Sequence, residues 1–317
     1  MRRRQLGGSD LEVSPIGLGC MQFAATGMAA RFYPTPDADA VGATVKAALD
    51  GGVNWFDTAE MYGHGESERA LSTALRGSGV SPGEVVVATK WAPFGRTASN
   101  IGRTVGKRID ALQGYPIDLY QIHQPISFSS TGSEMREMAK LLRARKIRAV
   151  GVSNFSAATM RRASAALAAQ GLVLASNQVQ ISLLRRNIER DGVLAAAREL
   201  GVTLIAYSPL RSGMLTGRFH DDPTLVGSLP RFRRFAGSFT ERGLAATRPL
   251  IDELGAIAKS YGVSRAQVSL NWVTNYYGDM VVAIPGASKP HQAEESARSM
   301  DFQLTEQELA KLADLAV

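Results

Sequence analysis

The chain has 317 residues, 45% of them apolar and 7% aromatic, which is enough for a substantial core and excludes a disordered protein. Its single cysteine, Cys20, excludes an internal disulfide or a cysteine-rich metal site, and no apolar run is long enough to cross a membrane. The net charge of +7 comes from Lys and Arg scattered over many segments, so an anionic small molecule suffices as a partner and nucleic acid is not expected.

Met1-Arg2-Arg3-Arg4 is basic, but no apolar signal region follows it, and a cytoplasmic protein is expected. Residues 4–14 read as a small hairpin turning at Gly7-Gly8. Eight strand candidates follow: Ile16–Gly19, Val53–Phe56, Val85–Ala88, Leu119–Ile122, Arg148–Val152, Ser176–Gln180, Thr203–Tyr207 and Val281–Ile284. Amphipathic helical stretches separate them. Thr35-Pro36 with Asp37 and Asp39 opens the first helix, and Gly51-Gly52 closes it. The basic cluster Arg143, Arg145, Lys146 and Arg148 falls where a helix ends, where cations complement the helix dipole. Residues Arg211 to Thr240 read as a long loop, with His220 solvated in it, followed by two helices. Ser264 to Gln267 and Thr305 to Glu308 each read as a capping box.

From Asp57 through Lys90, His123, Ser153 and Gln178 to Tyr207, the strand-end markers are spaced by 33, 33, 30, 25 and 29 residues. Repeated βα units require such spacing. The expectation is an α/β fold: one (β/α)8 TIM barrel over residues 1–317, with the N-terminal β-hairpin plugging its bottom and a helix closing its C-terminal end. A doubly wound open sheet is the fold alternative.

In such a barrel the C-terminal strand ends share one mouth. Strand two ends in Phe56-Asp57-Thr58-Ala59-Glu60-Met61-Tyr62-Gly63, strand three in Thr89-Lys90-Trp91, and strand four in Tyr120-Gln121-Ile122-His123. Each polar residue alone has a plain reading: Asp as a turn or cap, Lys snorkelling to solvent, His as a satisfied structural residue. Together they form a candidate catalytic set. A buried Asp57 and Lys90 must pair, and the ammonium should lower the Tyr62 pKa towards neutrality. Tyr62 then becomes a general acid for an alkoxide. Met21, Phe23, Tyr62, Trp91, Phe94, His123 and Gln124, at or just beyond strand ends, are candidate liners of a substrate pocket. Cys20 reads as a buried thiol, and no metal site is expected.

These motifs resemble those of the aldo-keto reductases over almost the whole chain. Asp57, Tyr62, Lys90 and His123 match the family's catalytic residues. Further matches are Gly151-Val152-Ser153-Asn154-Phe155, Asn177-Gln178, Ala206-Tyr207-Ser208-Pro209-Leu210 and Ile284-Pro285-Gly286-Ala287-Ser288-Lys289. The resemblance implies NADPH (NADP+), with NADH less favoured, bound without a Rossmann domain, and no Gly-x-Gly-x-x-Gly stands between a strand and a helix.

It implies that Ser153, Asn154 and Gln178 hold the nicotinamide carboxamide and that Tyr207 stacks on the ring. The loop Ser208 to Arg218 runs over the pyrophosphate, through Ser208, Leu210, Ser212, Gly213 and Leu215. Gly19, Met21, Asp57 and Gly286 complete the near side. Pro290 reads as the first residue of a helix, so Ser288 and Lys289 would cradle a phosphate with free N–H groups. Gln292 and Glu295 are the implied adenosine contacts, and Ser296 stands where the family carries Asn. The implied activity is reversible reduction of a small-molecule aldehyde or ketone. A second reading is a nicotinamide-sensing regulatory subunit resembling the potassium-channel β subunits, and the absence of residues preceding the barrel leans away from it. A C-terminal helix without a long covering loop implies an open pocket. Monomer and homo-oligomer both stay open.

Overall fold

Alternation along short, mostly buried strands decides which side chains enter the barrel and which meet the surrounding helices. The computed structural model describes residues 2–26, 36–229 and 239–316; Thr35, the 230–238 part of the long loop and Val317 lie outside them. Strands β1 (Arg4–Gln5) and β2 (Glu12–Val13) form an antiparallel hairpin. Eight parallel strands follow in sequence order: β3 (Leu18–Gly19), β4 (Trp55–Asp57), β5 (Val86–Trp91), β6 (Leu119–Ile122), β7 (Ala149–Ser153), β8 (Leu174–Gln180), β9 (Thr203–Tyr207) and β10 (Val281–Ile284). The bridges Ile16↔Ala283 and Gly19↔Gly286 bring the two edges together, giving the (β/α)8 barrel rather than an open sheet.

The helices between strands are α1 (Ala38–Asp50), α2 (Glu66–Gly77), α3 (Ser99–Ala111), α4 (Thr131–Arg143), α5 (Ala157–Ala168) and α6 (Val193–Leu200). Asp37 caps α1, so that helix starts one residue beyond the Thr35-Pro36-Asp37 signal. After β9 comes the short α7 (Arg218–Asp221), then α8 (Glu241–Tyr261) and α9 (Arg265–Asn275), with α10 (Pro290–Arg298) and α11 (Glu306–Leu315) after β10. Both capping boxes are formed, at Ser264/Gln267 and Thr305/Glu308.

Leu6, Leu11 and Val13 of the hairpin join Trp55, Val86, Ala88, Leu119, Ala149, Ala175, Ile205, Val282 and Ile284 in the inner core. The hairpin thus fills the barrel bottom. The outward residues Phe56, Val87, Trp91, Tyr120, Ile122, Val150 and Val152 pack in the larger core that includes the helices. Met214, Phe219, Leu229, Phe239 and Leu244 make a small separate core beneath the long loop. His220 is buried beside it, with Nε2 at 2.8 Å from Thr247 Oγ1, so the expectation of a solvated histidine is corrected. The loop's helical turns carry this residue inward, a placement its local sequence does not encode.

Candidate active site

Inward alternation on β5 runs Val86, Ala88, Lys90, which carries an ammonium from the apolar inner core to its upper rim. Lys90 pairs there with Asp57 Oδ1 at the end of β4, and its ammonium also donates to the Thr58 carbonyl (2.9 Å). Burial acts to lower the Lys90 pKa, but Asp57 and Tyr62 outweigh it and hold the group above its ordinary value. The other carboxylate oxygen, Asp57 Oδ2, accepts from Gln121 Nε2 (3.1 Å) and Gln178 Nε2 (2.9 Å).

Gln121 is a site residue that none of the sequence motifs singles out. Its signal is parity, since it shares the inward face with Leu119, pairs across the sheet with Lys90 and lies opposite Gly151. A Cβ on Gly151 would come within 2.5 Å of Ser176 Oγ and 2.9 Å of Gln121 Cγ, so the glycine makes room for this polar layer.

Tyr62 and His123 stand above the pair. The Lys90 ammonium lies 5.3 Å from the Tyr62 ring centroid, and the Tyr62 and His123 rings meet edge to face at 5.8 Å. Burial pushes the Tyr62 phenol above its ordinary value, and Lys90 draws it down without cancelling that effect. The expected shift towards neutrality is therefore corrected: enclosure outweighs one nearby cation. His123 is pushed down to about 3, by burial first and then by Lys90. Its imidazole is neutral, and its buried Nδ1 has no hydrogen-bond partner among the described residues.

Around the mouth, Ser153 Oγ donates to the Gln178 carbonyl (2.9 Å), and Asn154 Nδ2 donates to Ser153 Oγ (3.0 Å). Asn154 adopts φ +60° and accepts from the Tyr207 hydroxyl (3.1 Å). Ser156, not Ser153 or Asn154, caps α5, which leaves the earlier pair for another task. Ser208, Arg211 and Ser212 have φ of +51°, +50° and +56°, followed by Gly213 at +89°. Within this turn the Arg211 and Gly213 N–H groups donate to the Ser208 and Leu210 carbonyls (both 3.0 Å). Gly19 lies against Gly286, and the place a Cβ would take on Gly286 is filled by the Gln22 side chain (2.2 Å).

Other expected residues take different places. Trp91 faces outward, its indole donating to Asn100 Oδ1 (3.0 Å) on α3, and Phe23 and Leu215 also pack in the outer core. Their side chains are thereby withdrawn from the mouth, which corrects Trp91 and Phe23 as pocket liners and Leu215 as a side-chain contact. Met21 and Gln124 are half-buried, and Phe94 is exposed. At α10, Lys289 is the N-cap and exposed, but the Ser288 N–H is not free: it donates to Gln292 Oε1 (3.0 Å). The expected open cradle is thus filled by the carboxamide of Gln292, one turn into the helix. Glu295 is half-buried and Ser296 buried.

Three comparisons with known proteins agree with one another. The model of the Aldo/keto reductase family matches residues 15–316. An uncharacterized oxidoreductase of Mycobacterium tuberculosis (strain ATCC 25618 / H37Rv) is 40% identical over 311 residues, covering 96% of this chain and 90% of that protein. The glycerol dehydrogenase from Gluconobacter oxydans superposes with a TM-score of 0.84 at 29% identity, over 99% of this chain and 94% of that one. An aldo-keto reductase from Klebsiella pneumoniae, solved in complex with NADPH, gives a TM-score of 0.74 at 26% identity, over 99% and 95%.

Proposed function

The chain belongs to the aldo/keto reductase family, and from that premise we propose that it reduces an aldehyde or ketone with NADPH, reversibly, using Tyr62 as the general acid. The observation that carries this reading is the meeting of a protonated Tyr62 and a neutral His123 over the buried Lys90–Asp57 pair.

The mouth fits a nicotinamide cofactor. Ser153, Asn154 and Gln178 offer a hydroxyl and two amides in one cluster, and Tyr207 offers a ring face fixed by its bond to Asn154. The tight turn from Ser208 to Gly213, with Ser212 and Gly213 left-handed at its tip, would run along the diphosphate, with Leu210 beside it. Gly19, Met21, Asp57 and Gly286 line the near side. Lys289, Ser288 and Gln292 would take the adenosine phosphate, the Gln292 carboxamide yielding its hold on Ser288, with Glu295 and Ser296 beyond. When bound, the cofactor supplies the hydride.

The chain's own residues then handle the proton and the charge. A donor must keep its proton until negative charge forms, and a phenol held above its ordinary value does so. As charge develops on the carbonyl oxygen, the Tyr62 hydroxyl releases its proton to it. The phenolate left behind is stabilised by Lys90, whose own charge is secured by Asp57. The neutral His123 can donate one hydrogen bond to the same oxygen and so orient the carbonyl. Phe94, Gln124 and the partly exposed Met21 would border the substrate.

The test is NADPH oxidation by the purified chain over a panel of aldehydes, quinones, keto-sugars and keto-steroids. Turnover of at least one class is expected. No turnover with any of them, alongside tight NADPH binding, would overturn the enzymatic reading in favour of a redox-sensing one.

A further inference from the structure

Tyr62 sits on an irregular segment between β4 and α2. Three left-handed residues follow it, Gly63, His64 and Gly65, at φ +66°, +51° and +101°. A backbone bond from the Thr58 N–H to the Ala88 carbonyl (2.8 Å) starts this segment along the neighbouring strand β5, and Glu60 continues the hold through both its backbone and its carboxylate. The Glu60 N–H donates to the Lys90 carbonyl (3.1 Å), and its Oε2 accepts from the Ala92 N–H (3.0 Å). A single residue thus bridges the tyrosine segment to backbone at Lys90 and two residues beyond it.

The outer end of Glu60 is anchored as well. Its Oε1 accepts from Arg96 (2.8 Å) and lies 3.9 Å from Arg108. Arg108 pairs with Glu68 Oε2 (3.3 Å), and Glu68 Oε1 accepts from Thr89 (2.6 Å), the neighbour of Lys90. Two acids and two arginines therefore close a network just outside β5, with Glu60, Glu68 and Arg108 all buried. Such a network is weak evidence for stability, because desolvating its charged groups offsets most of what their pairing gains. The hydrogen bonds from Arg96 and the Ala92 N–H to Glu60 and from Thr89 to Glu68 do define one geometry, which apolar packing of the same volume would not, while Arg108 pairs with both acids by charge alone. The geometry they define is the approach of the tyrosine segment to the strand end bearing Lys90.

We infer that Glu60 is a positioning residue for proton transfer: by fixing the Tyr62 segment against the backbone at Lys90, it sets the reach of the phenol to the ammonium and to the reacting oxygen. The inference rests on the reading of Tyr62 as donor. It is separate from the pairing of Asp57 with Lys90, which Glu60 does not touch.

The test is a double-mutant cycle on the full chain, read by single-turnover reduction at saturating NADPH. Glu60→Gln keeps the side-chain length and an acceptor for Ala92 but removes the charge that holds Arg96 and Arg108. It should slow reduction about ten- to hundred-fold, the scale of a small misplacement of a reacting group, with the NADPH dissociation constant unchanged. In the Tyr62→Phe background the same substitution should have no further effect, since no hydroxyl remains to be positioned. A wild-type rate for Glu60→Gln, or equal slowing in both backgrounds, overturns the inference. A wild-type rate for Tyr62→Phe alone overturns the donor assignment first, and the inference with it. If Glu60→Gln does not fold, Arg96→Gln repeats the cycle from the outer end, where Arg96 is 33% exposed, and the same outcomes decide.

Discussion

Replacing Lys90 by Met removes a cation that is fully buried and leaves Asp57, 2% exposed, without its charge partner. The methionine fills a similar volume, so the expected loss is electrostatic rather than a cavity. Asp57 keeps the two amide donors on Oδ2 from Gln121 and Gln178, but Oδ1 and the Thr58 carbonyl each lose a donor. Breaking one side of a buried pair costs about 3–5 kcal/mol. For 317 residues, melting temperature falls by roughly 1.5 °C per kcal/mol. Lys90→Met should therefore melt about 5–8 °C below the wild type by scanning calorimetry. The double variant Asp57→Asn/Lys90→Met should recover most of that loss, because no buried charge is left alone. Reduction should stay crippled in both, since the Tyr62 phenolate has lost its stabilising cation. A single variant melting with the wild type, or a double variant no more stable than the single, would refute the pairing argument.

Three further groups give testable outcomes. His123, pushed down to about 3, should show no imidazole titration by NMR between about pH 5 and 8; a midpoint inside that window would contradict its enclosure. Because its folded value lies below the unfolded one, stability should fall as pH drops below 6.5. Glu68 is pushed up to about 7 by burial, so its folded form holds a proton that the unfolded chain has released. The stability this contributes is present below 4.5 and lost as pH rises through about 7. Denaturant titrations should accordingly show Glu68→Gln gaining on the wild type across that interval, and a constant difference would refute it. Lys289→Glu should cut the preference for NADPH over NADH in kcat/KM by about ten- to hundred-fold, the worth of one charge-assisted contact. An unchanged ratio would remove the start of α10 as the phosphate site.

The barrel is legible in sequence because each strand is short, apolar and followed by a polar residue at a nearly constant interval. Parity then separates the inner layer from the outer one. Applied to Val86, Ala88 and Lys90 it places the ammonium at the mouth, and carried one residue further it turns Trp91 away. The same rule points Gln121 at Asp57, although a glutamine within an apolar strand gives no chemical signal of its own. Three features are not legible. The Gln292 carboxamide folds back onto the Ser288 N–H, just ahead of the helix cap, by a contact that many side chains could make. His220 is buried by a loop whose path depends on the small core beneath it. The balance at Tyr62 depends on how tightly the mouth encloses the phenol, which no spacing of residues encodes.

The central claim is that Tyr62 gives the proton, and its most direct test is a single-turnover rate for Tyr62→Phe at saturating NADPH. The substitution keeps the ring and removes only the hydroxyl. Reduction should fall by about two to four decades, the range of general-acid catalysis, while the NADPH dissociation constant measured by fluorescence quenching holds at the wild-type value. A Tyr62→Phe variant that binds NADPH normally and reduces substrate within a few-fold of the wild type would contradict the account.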